Sequence, residues 1–401
     1  MDHYLEQIAI DLVQRNLERY WPNFERVAYA IFNKKTVHLF NHPKYKNDHL
    51  DSHKILDWEE HFVGNTIILY EGHPTAIADM DLYNDYEGIY SILVHELFHG
   101  FQYIKGEKRF PDEILGITYP LTFEIAELRI RERKHLYDAL LETNISKKKQ
   151  FLKEFIVLRE KRATKCKEYT TYENLIETVE GPAWYVELKA YSEKSPLDNK
   201  IVSEKYGEHL LEKVESNLNI RRSCYSSGLC MCLLLDEFSP DWKESFFETN
   251  DTLFDLIKQL DVGPIPLDHI EEEISTETVE AVNSVIQLRK KEFKAFECQT
   301  GTHIFIEGEI TALFFDPINI LSFGGKFLHK NFVKVRINNN EYLVQQPTIA
   351  YCKDGLKHIN KLHLYLKDNP IENTDSLMIP NVGKIDGRYT KRENTFYLTV
   401  N

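Results

Sequence analysis

The sequence predicts an α+β chain in two domains: a mainly helical domain with a small sheet near its N-terminus, then a β-rich domain. Three observations carry this. The chain has 401 residues, beyond the roughly 250–300 at which a single hydrophobic core stops growing. Hydrophobic residues make up 42% and charged residues 28%, a globular composition that excludes disordered and fibrous classes. Finally, the patterning changes near residue 298, from apolar residues at helical spacing to short β-branched and aromatic runs. The expected domains are therefore 1–297, with an α/β part over 1–85 and a helical part over 86–297, and 298–401.

Tyr4, Ile8, Leu12 and Leu17 recur at close to helical spacing and predict an opening helix over 4–20. Short β-rich runs follow at 27–32, 37–40 and 65–70, the last closed by Glu71-Gly72-His73-Pro74. Helices are predicted over 87–104, 121–142, 148–168, 172–191 and 224–238, the last stopped by Ser239-Pro240 because proline cannot continue it. Val279, Val282, Ile286, Phe293 and Phe296 predict a linking helix over 277–297. Beyond it, strands are expected at 303–306, 310–315, 332–337, 342–344, 363–366 and 396–400, separated by Gly, Asn and Asp clusters.

The net charge of −14 is unevenly spread. From Ala295 onward there are 12 basic and 11 acidic residues, whereas the first 294 carry 37 and 52. An acidic surface repels phosphate backbones, so no nucleic-acid partner is expected. No apolar run reaches the roughly 18–20 residues needed to span a bilayer, and no secretory signal is visible at the start. Six cysteines without a regular framework read as free thiols. A cytoplasmic protein with no membrane partner is the expectation. Cys230-Met231-Cys232 lies in an apolar run and reads as core rather than as half a metal site.

Chemistry concentrates in His95-Glu96-Leu97-Phe98-His99. On a helix the two histidines lie one turn apart on one face and can converge on a single Zn²⁺. Glu96, beside the first histidine, is placed to take a proton from a water at the metal. Val94, Leu97, Phe101 and Ile104 fall on the opposite face, which gives the helix a core side. Catalytic zinc sites use three protein ligands, so a third is expected downstream. The segment from Glu177 to Glu187 is dense in carboxylates; Glu173, Glu177, Glu180 and Glu187 share one helical face, and Glu173 reads as part of an ordinary amphipathic helix. His38-Leu39-Phe40-Asn41-His42 repeats the histidine spacing, but Asn41 and Pro43 oppose a helix. With His49, His53 and His61 it reads as a histidine-rich loop region without metal.

HExxH followed by Glu180-Gly181-Pro182-Ala183-Trp184-Tyr185-Val186-Glu187 resembles the gluzincin metallopeptidases, especially aminopeptidase N-like enzymes, whose second motif reads Asn-Glu-Gly-Phe-Ala-x-Tyr. The resemblance implies a zincin-like fold over residues 60–250, with Zn²⁺ held by His95, His99 and Glu180 and Glu96 as general base. It also implies a Tyr or His donating to the developing oxyanion, for which Tyr225 is the candidate. Glu177 and Glu187 are the candidate carboxylates for orienting the ligand histidines. The expected activity is hydrolysis of a peptide or protein substrate. The chain departs from the family pattern in three respects: about 80 residues separate the motifs, Val179 stands where the family has Asn, and no Gly-x-Met-x-Asn motif is found. Two other readings of the same residues stay open: a metal-holding module that binds without cleaving, and a zinc hydrolase of a non-peptide amide or ester.

Overall fold

The structure, a computed structural model, describes residues 2–12, 17–45, 53–263, 273–353 and 355–400. It is mixed α+β, with a helical region and a β-rich C-terminal region. The chain forms two compact units: Met1–Pro111 with Glu127–Glu273, and Asp112–Ala126 with Ile274–Asn401. The division thus falls before the helix Thr276–Glu297 rather than at the change of composition near 298, because that helix's Phe293 and Phe296 pack with Leu328 and Ile349. Among the described residues no helix is long and apolar enough to cross a membrane.

In the first unit, helix α1 (Asp2–Asp11) precedes a five-stranded sheet. Its strands are β1 (Ala28–Phe32), β2 (Thr36–Phe40), β3 (His53–Asp57), β4 (Thr66–Tyr70) and β5 (His73–Asp79), in the order β3-β2-β1-β5-β4. Only β1 and β5 run parallel. The predicted opening helix is shorter than expected, and residues 13–16 lie outside the described part. β5 carries no strand signal in the sequence, because its proline, alanines and aspartate are poor strand formers. His53, expected in a loop, lies in β3, its Nε2 3.1 Å from His38 Nδ1. His49 lies outside the described residues.

Strand alternation sorts β1 between two cores. Tyr29 and Ile31 join the large core beneath helix α2 (Tyr86–Ile104), while Ala30 and Phe32 pack with Val37, Leu39, Phe62 and Ile77 on the other face. Gly100 allows α2 this close approach: a Cβ there would lie 2.4 Å from Val27 Cγ2 and 3.2 Å from Ile67 Cδ1. Val94, Leu97 and Phe101 are buried in the core; Ile104, at the helix end, is exposed.

After the short α3 (Glu113–Ile117), which belongs to the second unit, come α4 (Phe123–Leu141), α5 (Ile145–Lys194), α6 (Asn199–Glu208), α7 (Lys213–Leu218), α8 (Ile220–Phe238) and α9 (Leu253–Gln259). Helix α5 is not straight. Arg159 Nη2 lies 2.9 Å from Glu177 Oε1 although the two residues are 18 apart. That separation on a straight helix would be about 27 Å, far beyond the reach of two side chains. The chain therefore doubles back at Cys166, whose φ of −147° and ψ of 60° are not helical. Its two limbs are the two helices the sequence predicted on either side of residue 170.

These limbs and α4 enclose a cluster of charged side chains. Arg129, Arg133, Arg159 and Arg162 are all buried, as are Glu132, Glu173 and Glu177. Arg129 Nε donates to Glu173 at 2.7 Å, Arg162 Nη2 to Glu132 at 2.7 Å, and Arg162 also pairs with Glu173. Arg133 has carbonyl partners instead, on His209, Leu210 and Ser223, and burial together with Arg129 pushes its pKa down to about 10.

The second limb of α5 meets α8 backbone to backbone. A Cβ on Gly181 would lie 2.7 Å from Gly228 Cα, and one on Gly228 would lie 2.6 Å from Glu177 O. This glycine pair places the first turn of α8 beside Glu180, and it gives Gly181 a packing role of its own.

In the second unit, α10 (Thr276–Glu297) precedes strands β6 (Thr302–Phe315), β7 (Ile320–Phe323), β8 (Lys326–His329), β9 (Val333–Ile337), β10 (Asn340–Val344), β11 (Thr348–Cys352), β12 (His358–Leu366), β13 (Ile371–Asn373), β14 (Ser376–Ile379), β15 (Gly383–Asp386), β16 (Arg388–Arg392) and β17 (Thr395–Thr399). Strand β6 joins the two runs expected at 303–306 and 310–315. It pairs with β17 in its first half, with β9 in its second, and with β12 along most of its length. Gly308 marks the changeover, where a Cβ would fall 2.5 Å from Val400 O. β13, β14 and β15 form a separate small sheet.

Candidate metal centre

Asp85 caps α2 by accepting from Gly88 N at 2.7 Å, and the helix then carries His95 and His99 one turn apart toward the second limb of α5. Their Nε2 atoms are 3.0 Å apart, and Glu180 Oε2 lies 3.7 Å from the first and 3.3 Å from the second. Among the described residues these three form the one group of metal-ligating side chains close enough to share an ion. A tetrahedral zinc site with bonds near 2.0–2.1 Å requires donor atoms about 3.3–3.4 Å apart, the middle of the observed spread.

The outer ring nitrogens are engaged. His95 Nδ1 faces Glu187 Oε2 at 2.8 Å, and Tyr206 donates to the other Glu187 oxygen at 3.3 Å. His99 Nδ1 faces Gln102 Oε1 at 2.7 Å, while Gln102 Nε2 donates to Val179 O at 2.7 Å and so ties α2 to α5. With Nδ1–H donated outward, each Nε2 lone pair points inward. Glu180 Oε2, where they converge, is buried and has no hydrogen-bond partner. Lone pairs facing one another away from water repel, and a proton or a metal ion must stand between them. The donor set of two imidazoles and one carboxylate fits zinc.

The surrounding charges act on each of these groups. Burial alone would lower the pKa of His95, but Glu180 and Glu187 outweigh it and push it up to about 10. Burial would raise Glu180, yet His99, His95 and Arg221 hold its carboxyl well below the ordinary range. Glu96, also buried, is raised by loss of water despite the nearby histidines. The pocket thus concentrates carboxylates and stabilises positive charge.

Tyr225 lies across the site, its ring 6.4 Å from that of His95 and edge-on to Trp184 at 5.9 Å. Its hydroxyl accepts from Arg221 Nη1, and burial raises its pKa, so it stays a phenol. Glu187 stands against His95. Glu177 does not stand against either histidine: it is paired with Arg159 and hydrogen-bonded by Ser227, inside the arginine cluster. The reason is rotation. Seven residues bring Glu187 back to within about 20° of Glu180, whereas three leave Glu177 about 60° round the helix. Glu173, expected on a solvated face, is buried in the same cluster. Gln102, Tyr206 and Arg221 were missed as parts of the site. Gln102, three residues after His99, had a local signal; Tyr206 had none.

No family model, no curated protein and no solved structure matches the chain.

Proposed function

We propose that the chain is a zinc-dependent metallopeptidase with a zincin-like first unit. The observation that carries this is the convergence of His95 Nε2, His99 Nε2 and the unpartnered Glu180 Oε2, with buried Glu96 one residue from the first ligand. Zinc, held by those three residues, would polarise a scissile carbonyl and acidify water. Glu96 is the proton acceptor and would afterwards return the proton to a leaving amine. Tyr225 is the donor to the carbonyl oxygen; losing such a donor typically costs about 10²–10³ in rate. Strand β4 ends the sheet order and offers an edge on which an extended peptide can add as a further strand. All six cysteines are free, which supports a reducing compartment such as the cytoplasm. The test is Glu96→Gln, assayed on a peptide library with and without chelator. Metal content should persist and chelator-sensitive cleavage should vanish; undiminished cleavage would overturn the assignment.

A further inference from the structure

Helix α8 begins at Asn219, whose side chain accepts from Arg222 N, so Arg221 lies in the first turn and Tyr225 one turn later on the same face. The glycine contact between Gly181 and Gly228 holds that face against the α5 limb that carries Glu180. Arg221 reaches both groups with separate nitrogens: Nη2 donates to Glu180 Oε1 at 2.9 Å, and Nη1 donates to the Tyr225 hydroxyl oxygen. The two Glu180 oxygens therefore differ. Oε1 is bound by a guanidinium; Oε2 has no hydrogen bond and faces the histidines.

We propose that Arg221 is a positioning residue that makes Glu180 a one-oxygen metal ligand and sets the direction of the Tyr225 hydroxyl. The proposal rests on the metal site inferred above. A guanidinium is planar and permanently charged, so it fixes the carboxylate plane as well as offsetting its charge. With one lone pair of Oε1 held by the guanidinium, Glu180 would meet an ion chiefly through Oε2. Because the tyrosine oxygen accepts from Arg221, its own hydrogen must point away from the guanidinium, and the Glu180 carboxylate stands within its reach as an acceptor. A lysine offers a single point charge and cannot serve both partners in fixed planar geometry.

The test uses the full chain loaded with Co²⁺, whose visible absorption is stronger in four-coordinate than in five-coordinate sites, and reads affinity by chelator competition. Wild type should bind one ion with an intense spectrum. Arg221→Ala, with circular dichroism checking its fold, should bind about 10–100-fold more weakly, with a fainter spectrum as Oε1 joins the ion. Arg221→Lys should recover part of the affinity. Tyr225→Phe, which leaves the Arg221–Glu180 contact in place, should keep both affinity and spectrum. Unchanged affinity and spectrum in Arg221→Ala, or an equal loss in Tyr225→Phe, would overturn the role of Arg221 while leaving the metal site standing. Failure of wild type to bind Co²⁺ or Zn²⁺ would overturn both.

Discussion

Replacing Gly181 by alanine sets two known effects against each other. In a helix interior alanine is favoured over glycine by about 1 kcal/mol, so propensity alone predicts a more stable protein. The structure predicts the reverse. The new Cβ would lie 2.7 Å from both Cα and C of Gly228 and 3.0 Å from its carbonyl oxygen. Carbon atoms are at ease near 3.5–4.0 Å, so α5 and α8 must part by roughly 0.8 Å or more. The obstacle is backbone, which no side-chain rotation can relieve. Overpacking of this kind costs about 1–3 kcal/mol, and a rigid obstacle belongs at the upper end, which leaves a net loss of about 2 kcal/mol. All four tryptophans, Trp21, Trp58, Trp184 and Trp242, lie in the first unit, so their fluorescence during urea unfolding reports on that unit. The midpoint of Gly181→Ala should fall. Gly228→Ala should do likewise, and the double variant should lose less than the sum, since one separation relieves both clashes. A midpoint unchanged or raised in Gly181→Ala would refute the close-contact account.

Zn²⁺ at about 100 times its Kd should stabilise the first unit by roughly 2.7 kcal/mol. Calorimetry with and without chelator should show this for wild type and not for Glu180→Gln; equal shifts in both would place the ion elsewhere. Arg159→Met removes one partner from each of two buried carboxylates, Glu132 and Glu177, and should cost about 3–5 kcal/mol. A loss below about 1 kcal/mol, measured by the same urea unfolding, would mean the cluster is effectively hydrated. Burial would raise the pKa of Asp236, but hydrogen bonds from Lys243, Tyr185 and Trp242 hold it below its ordinary 3.8. A lowered folded value gives stability that is present above the unfolded pKa and lost as pH falls through the folded one. Asp236→Asn should therefore flatten the acid side of the stability profile below about pH 4, and identical slopes for the two proteins would count against it.

Helices were legible where an apolar stripe ran long enough to set a period, and strands where β-branched runs stood between turn residues. The misses share physical causes. β5 contains Pro74, Ala76 and Ala78, residues with little strand preference, and its place between β1 and β4 comes from burial on both faces. The small sheet of β13, β14 and β15 is built from strands of three or four residues, too short to show alternation. The buried arginines were unreadable for a different reason. Periodicity reports which positions share a face, but not whether a charged face meets water or a complementary charged face. Arg159 and Glu132 solve each other's desolvation, and neither sequence segment discloses its partner.

The same limit bears on the site. His95, Glu96 and His99 were legible because one helical turn does the work of bringing them together. Glu180 came from motif resemblance, since a carboxylate eighty residues away carries no local mark of where it will fold. What distinguishes Glu180 from Glu177 is set by the next residue and by another helix. Gly181 permits contact with Gly228, that contact places Arg221 beside Glu180, and Arg221 takes one of its oxygens. Glu177, one turn earlier, is claimed by Arg159 instead. Arg159 takes both Glu177 oxygens, whereas Arg221 takes only Oε1 of Glu180 and leaves Oε2 facing the two imidazoles. The difference between these two carboxylates on one helix is therefore made by which arginine arrives and how many oxygens it covers.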